Sequence, residues 1–161
     1  MPEAFHIEVK GLDKLIDKLT ALKGIVENKE LVHEIFAAEL FHATERAFEN
    51  KRDPVTGKAW KEWTPKYAKR LAKLGKNDRR NMLYQKGANG GLFNAVHHWA
   101  DAEGGHIGAN IIYARIHQLG GRAGRGHRAT IPARPYLGLD AQAREDIQQT
   151  IRDLLEDALD G

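Results

Sequence analysis

Ile111-Ile112-Tyr113-Ala114-Arg115-Ile116-His117-Gln118-Leu119-Gly120-Gly121 leads, after a glycine- and arginine-rich gap, to Ile131-Pro132-Ala133-Arg134-Pro135, and the rest of the chain reads outward from this pair. Tyr113, Ile116 and Leu119 fall on one side of about two helical turns. The gap from Gly120 to Gly126 has too little apolar surface to offset its ordering entropy, so 120–130 reads as a flexible loop. Pro132 and Pro135 then stiffen the approach to a last helix. No nucleophile is paired with a base here. The unit reads as a place where another chain is held.

Upstream, Asn94–Ala100 alternates apolar and polar residues, Glu103-Gly104-Gly105 makes a turn, and His106–Asn110 returns, which predicts a hairpin. Downstream, Asp140 is placed to cap a helix whose core face is Ile147, Ile151, Leu154, Leu155 and Ala158. Glu156, Asp157 and Asp160 sit at its C-terminal end, where the helix dipole disfavours acids. That suits a solvated tail, or a helix end facing a basic partner.

The N-terminal half is mostly helical. Phe5–Val9 alternates as a short strand does, and Gly11 breaks it. Leu12, Leu15, Ile16, Leu19 and Leu22 predict a first helix ending near Gly24. A second runs from Lys29 to Asn50 with a wide stripe of Val32, Phe36, Leu40, Ala43 and Ala47, at about 1.5 Å per residue roughly 30 Å long. Asp53-Pro54-Val55-Thr56-Gly57 has the residues of a tight turn. Trp60 and Trp63 follow on one side of a turn, either as a plug for the core, the preferred reading, or as a stacking surface for bases. Thr64-Pro65 opens a basic surface helix over Tyr67, Leu71 and Leu74 that Gly75 ends. Met82-Leu83-Tyr84 reads as a short buried turn inside a glycine-rich, basic segment, 76–91, that reads as flexible.

The sum is an α+β fold in one domain over 1–161. N- and C-terminal helices pack on a small, mainly antiparallel sheet, with long basic loops between.

Composition narrows function. The chain has 161 residues, 42% hydrophobic and 29% charged, and a net charge of +3. Residues 51–90 carry 12 basic and 3 acidic side chains, and 115–134 carry five arginines and no acid. Both ends are acidic. A basic middle between acidic ends fits contact with nucleic acid, head-to-tail joining of copies, or a plain solvated surface. Cys and Ser are both absent, which excludes the two commonest nucleophiles and any disulfide. The eight His lack metal-ligand spacing, and His97 and His98 point to opposite faces of a strand. The glycine-rich segments lack a phosphate-loop ending. No metal, cofactor or catalytic set is therefore expected. Neither a leader sequence nor an apolar run near the roughly 20 residues that cross a bilayer is present, so a cytoplasmic product is expected.

Pro54-x-x-Gly57-x-x-Trp60, Thr64 with its basic helix, Leu83, Gly91-Leu92, Ile107-Gly108, Tyr113-Ala114-x-x-His117-Gln118-x-Gly120 and Ile131-Pro132-Ala133-Arg134-Pro135 occur in this order. Over roughly residues 30–160 they resemble the phage virion morphogenesis or tail completion family of contractile-tailed, Mu-like and P2-like phages. Segment 76–91 departs from that pattern, being longer and richer in glycine and basic residues. The resemblance implies a structural virion protein acting at the tail end or head–tail junction. It also implies a homo-oligomeric ring, with phage tail or neck proteins as partners and no membrane. Such a protein would lie in the host cytoplasm during assembly and then in the virion. In that frame Pro54, Gly57, Trp60, Tyr113, His117, Gln118, Pro132, Arg134 and Pro135 are structural-signature or subunit-interface positions. Arg134 would make a directed ion pair or a forked hydrogen bond. Lys66, Lys69, Arg70, Lys73, Arg79, Arg80, Arg122 and Arg125 are the residues that would face DNA. The alternative is a nonspecific nucleic-acid-binding module using 51–90, where basic residues interleave with Trp60, Trp63, Tyr67 and Tyr84.

Overall fold

A computed structural model of the chain describes residues 12–75, 82–83 and 91–160. The strand expected over Phe5–Val9, and with it Arg79, Arg80 and Tyr84, lies outside the described residues. The fold is α+β. Helix α1 (Leu12–Glu27) is followed after one residue by α2 (Lys29–Asn50). Asn28 makes the break, its side-chain oxygen accepting from Leu31 N at 3.2 Å. Helix α1 runs through Gly24, where a stop was expected. Gly24 does not take the left-handed conformation by which a glycine ends a helix. Lys51 does that for α2, at φ 54°.

Helix α3 (Pro65–Lys73) begins as its sequence indicates, with Tyr67 N donating to Thr64 Oγ1 at 3.4 Å and Pro65 in the first turn. A short helical turn, α4 (Gly91–Asn94), takes up Asn94, the first residue expected in the strand, so β1 is Val96–Ala100 and β2 is Gly105–Ala109. The two are antiparallel, with Val96 opposite Ala109 and Ala100 opposite Gly105. Then come α5 (Ala114–Leu119), β3 (Gly121–Ala123), β4 (Ala129–Ile131) and α6 (Ala141–Asp160). The glycine-arginine stretch thus carries a second antiparallel ladder, absent from the sequence reading. Arg122 Nε donates across it to His127 O at 3.0 Å.

The hairpin β1–β2 lies on α2, α2 packs on α6, and α6 packs on α1. Gly105 sets how closely the hairpin approaches. A Cβ there would stand 2.4 Å from His33 O and 2.7 Å from Ala37 N, both backbone atoms. Phe48, fully buried in the last turns of α2, is the hub of the core. Its ring meets Phe93, Tyr136 and Trp60 at 5.1, 5.4 and 5.5 Å between centroids. This corrects the stripe drawn through Phe36, which is 38% exposed. The apolar arc of α2 is too wide for periodicity to fix its innermost line. Trp60 is 3% exposed, so the core-plug reading of this tryptophan holds.

Candidate functional site

The segment from Ile131 to Asp140 has no helix and no strand pairing after Ile131, yet its backbone is held from two sides. From one side come Pro54 to Glu62. Asp53 Oδ1 accepts from Val55 N at 2.9 Å, and Gly57 at φ 68° closes the turn. That turn rests on Gly138, where a Cβ would stand 2.6 Å from Val55 Cγ2. Trp60 Nε1 donates to Pro135 O at 2.6 Å. Arg134 is buried and forked over two carbonyls, Nε to Lys61 O at 2.9 Å and Nη2 to Glu62 O at 3.2 Å. Of the two arrangements the sequence left open for Arg134, the fork is the one observed. Burial lowers its pKa, and the nearby Glu62 and Tyr67 act the other way.

From the other side comes α5. His117 O accepts from Arg134 N at 2.7 Å, and Ala114 O accepts from the Tyr136 hydroxyl at 3.3 Å. Gln118 Oε1 accepts from Tyr136 N and Leu137 N at 2.9 and 3.1 Å, and Gln118 Nε2 donates to Leu137 O at 3.1 Å. Burial pushes the Tyr136 phenol up to about 12, so it stays a donor. The Tyr-His-Gln turn therefore holds a segment of its own chain.

Between α3, α5 and β4 is a cavity of about 520 Å³. Tyr113, His117, Pro132 and Arg134 line it together with Trp63 and Tyr67. The rings of Tyr113 and His117 meet edge to face at 5.9 Å. Burial, and then the Arg134 charge, lower the His117 pKa, and its Nδ1 has no partner among the described residues. The wall thus sets the His117 imidazole and the buried Arg134 guanidinium among the hydroxyls of Thr64, Tyr67, Tyr113 and Thr130, with no carboxylate among its described residues. Pro54, Gly57, Trp60, Gln118 and Pro135 lie away from this cavity. The described residues hold no group of three or more His, Asp or Glu arranged to bind a metal, and no described helix is long and apolar enough to cross a membrane.

The model of the phage virion morphogenesis family matches residues 7–156 of the chain. The chain belongs to the phage virion morphogenesis family. Protein G of Escherichia phage Mu, provisionally named for capsid assembly, is 32% identical over 158 residues, covering 95% of this chain and 94% of that protein. The Mu-like prophage FluMu G protein 2 of Haemophilus influenzae is 50% identical over 50 residues, 31% of this chain and 36% of that protein. No solved structure matches.

The described basic residues that were expected to face DNA separate into two places. Lys66, Lys69, Arg70 and Lys73 are exposed on α3, around a depression of about 470 Å³ that Thr64 and Tyr67 complete. Arg122 and Arg125 are exposed on the β3–β4 hairpin. Sequence reasoning missed Tyr136 and the pair Arg46–Asp140. The first is a lone aromatic beside a proline, with no periodic partner. The second joins residues far apart in the chain, so no local spacing reveals it.

Proposed function

We propose that the chain is a structural virion protein that acts at the tail end or the head–tail junction. It ends tail growth or prepares tails for joining to heads, assembles as a homo-oligomeric ring, and carries no catalytic step. One observation supports this reading most. The residues that carry the family resemblance, Trp60, Gln118 and Arg134, direct their polar groups onto the chain's own backbone. These motif residues serve to frame the fold, as an assembly subunit requires. The name of the Mu relative concerns capsid assembly, which agrees with a role in building the particle. The chain would act in the host cytoplasm and remain in the virion, beside tail or neck proteins.

The nucleic-acid reading is weakened by Trp60, whose burial removes it from any stacking surface. What remains for DNA is an accessory contact of the exposed lysines and arginines, with Tyr67 exposed among those of α3.

Inactivating the gene in the phage that encodes it, and imaging the lysate by electron microscopy, tests the proposal. Separate heads and tails, or tails of uneven length, are expected. Malformed heads with normal tails move the role to the capsid, and normal yields of finished particles overturn it.

A further inference from the structure

Two helices of this chain carry one charge pattern in opposite signs. Lys66, Lys69, Arg70 and Lys73 of α3 stand at i, i+3, i+4 and i+7, and so do Asp153, Glu156, Asp157 and Asp160 of α6. In an α-helix these positions share an arc of about 100° and span about 10 Å along the axis. All eight residues are exposed. Among the described residues none of them has an ion-pair partner within the chain.

Each face is unfavourable by itself, because like charges three and four apart repel on a helix. The acidic face also sits at the negative end of its helix dipole. Few opposite charges relieve this locally. Glu62 is the single acid between Asp53 and Asp78. On α6, Arg152 stands at the edge of the acidic arc, four residues before Glu156, and offsets part of its charge, while Lys18 of α1 donates to the backbone oxygen of Leu159. Asp153 accepts from Gln149 Nε2 at 2.7 Å, which leaves its charge in place.

The basic face also has shape, since its four cations surround the depression beside Tyr67. We infer that the α3 face docks on the α6 acidic face of a second copy of this chain. The contact joins two different surfaces, so it is heterologous and propagates from copy to copy, closing when the rotation allows. It rests on the reading of the chain as an oligomeric assembly protein, and it names the surfaces that meet. Equal length, equal spacing and opposite sign favour the second copy over duplex DNA, which would need only the basic half.

Sedimentation velocity on the full chain tests this, with K69E/R70E and D153K/D157K as charge reversals. The wild type is expected to associate at low salt and to weaken at least about tenfold between about 0.05 and 0.5 M salt, as screening shortens. Each variant alone is expected to be monomeric with a wild-type circular dichroism spectrum, because reversing two of four charges leaves one of its two faces with no net charge. Mixing the two variants restores association, since the intact α3 face of D153K/D157K meets the intact α6 face of K69E/R70E. The inference is overturned by a wild type that stays monomeric at millimolar concentration and low salt, by variants that associate like the wild type, or by variants that fail to associate when mixed. If K69E/R70E loses binding to a short DNA duplex and keeps its self-association, the α3 face belongs to nucleic acid. In each case the lysate phenotype still decides the assembly reading separately.

Discussion

The side chain of Gln118 pairs with the backbone at Tyr136 as a neighbouring strand would. Its Oε1 accepts from Tyr136 N at 2.9 Å and Leu137 N at 3.1 Å, while Nε2 donates to Leu137 O at 3.1 Å. A helix has few free backbone groups to offer an extended segment, because its own turns use them. One amide side chain supplies both the acceptor and the donor. This seats Tyr136, which is 1% exposed, against Phe48 and so ties α5 to the core.

Gln118→Ala leaves three partly buried backbone groups without their partner and is expected to cost about 2–4 kcal/mol in urea unfolding. Gln118→Glu separates the acceptor from the donor. It keeps the oxygen that receives the two N–H groups but turns a second carboxylate oxygen toward Leu137 O. Its loss is expected to be larger at neutral pH and to shrink as pH falls toward about 4, where a protonated carboxyl donates again. Equal losses for Gln118→Glu at both pH values would show that the donated bond contributes nothing.

Gly105→Ala tests how the hairpin is seated. The added methyl would meet His33 O and Ala37 N at 2.4 and 2.7 Å, and both belong to the backbone of α2, which cannot rotate aside. A loss of about 2–4 kcal/mol is expected in thermal or urea unfolding. Gly108→Ala is the control, since its Cβ would meet only the Trp99 ring at 3.5 Å, an ordinary contact. It should cost less than about 1 kcal/mol. Equal effects at the two glycines would show that the hairpin can lift from the helix.

Local signals located most elements. Thr64-Pro65 and Asp140 announce helix starts because a cap acts within one turn, and both caps form. The span of α2 follows from its charge and apolar pattern, and its ends fall where expected, with Asn28 capping one and Lys51 turning left-handed at the other. Contacts that join distant segments were not legible. Nothing near Phe48 shows that it meets Phe93, Trp60 and Tyr136, which come from three other segments. The site was half legible. Trp60, Gln118 and Arg134 stood out by order and type, but their targets are backbone atoms, and backbone atoms leave no trace in a sequence. The ladder over Gly121–Ile131 escaped for the same reason.

The pair Arg46–Asp140 joins α2 to the start of α6 and gives the fold a pH-dependent fastening. Arg46 donates from Nε to Oδ2 and from Nη2 to Oδ1, both at 2.8 Å, and Oδ1 also accepts from Ala143 N at 2.8 Å. The Arg46 hydrogen bond holds the Asp140 carboxyl below its ordinary range, against the opposing effect of burial. In the unfolded chain that carboxyl takes up its proton first as pH falls. The stabilisation is therefore complete above the ordinary aspartate pKa of about 4, and it is lost as pH drops through the lower native value. Asp140→Asn keeps a capping side chain and removes the charge. It is expected to cost about 1–2 kcal/mol at neutral pH, with the gap to wild type closing in acid. Asp140→Ala removes the cap as well and should cost about 1 kcal/mol more. His117, whose native pKa is lowered by burial, adds a separate decline below about pH 6.5, but it does so in wild type and variants alike and cancels in the difference. Stability curves that run parallel for wild type and Asp140→Asn from neutral pH down to about pH 2 would mean that the ion pair adds nothing beyond the cap.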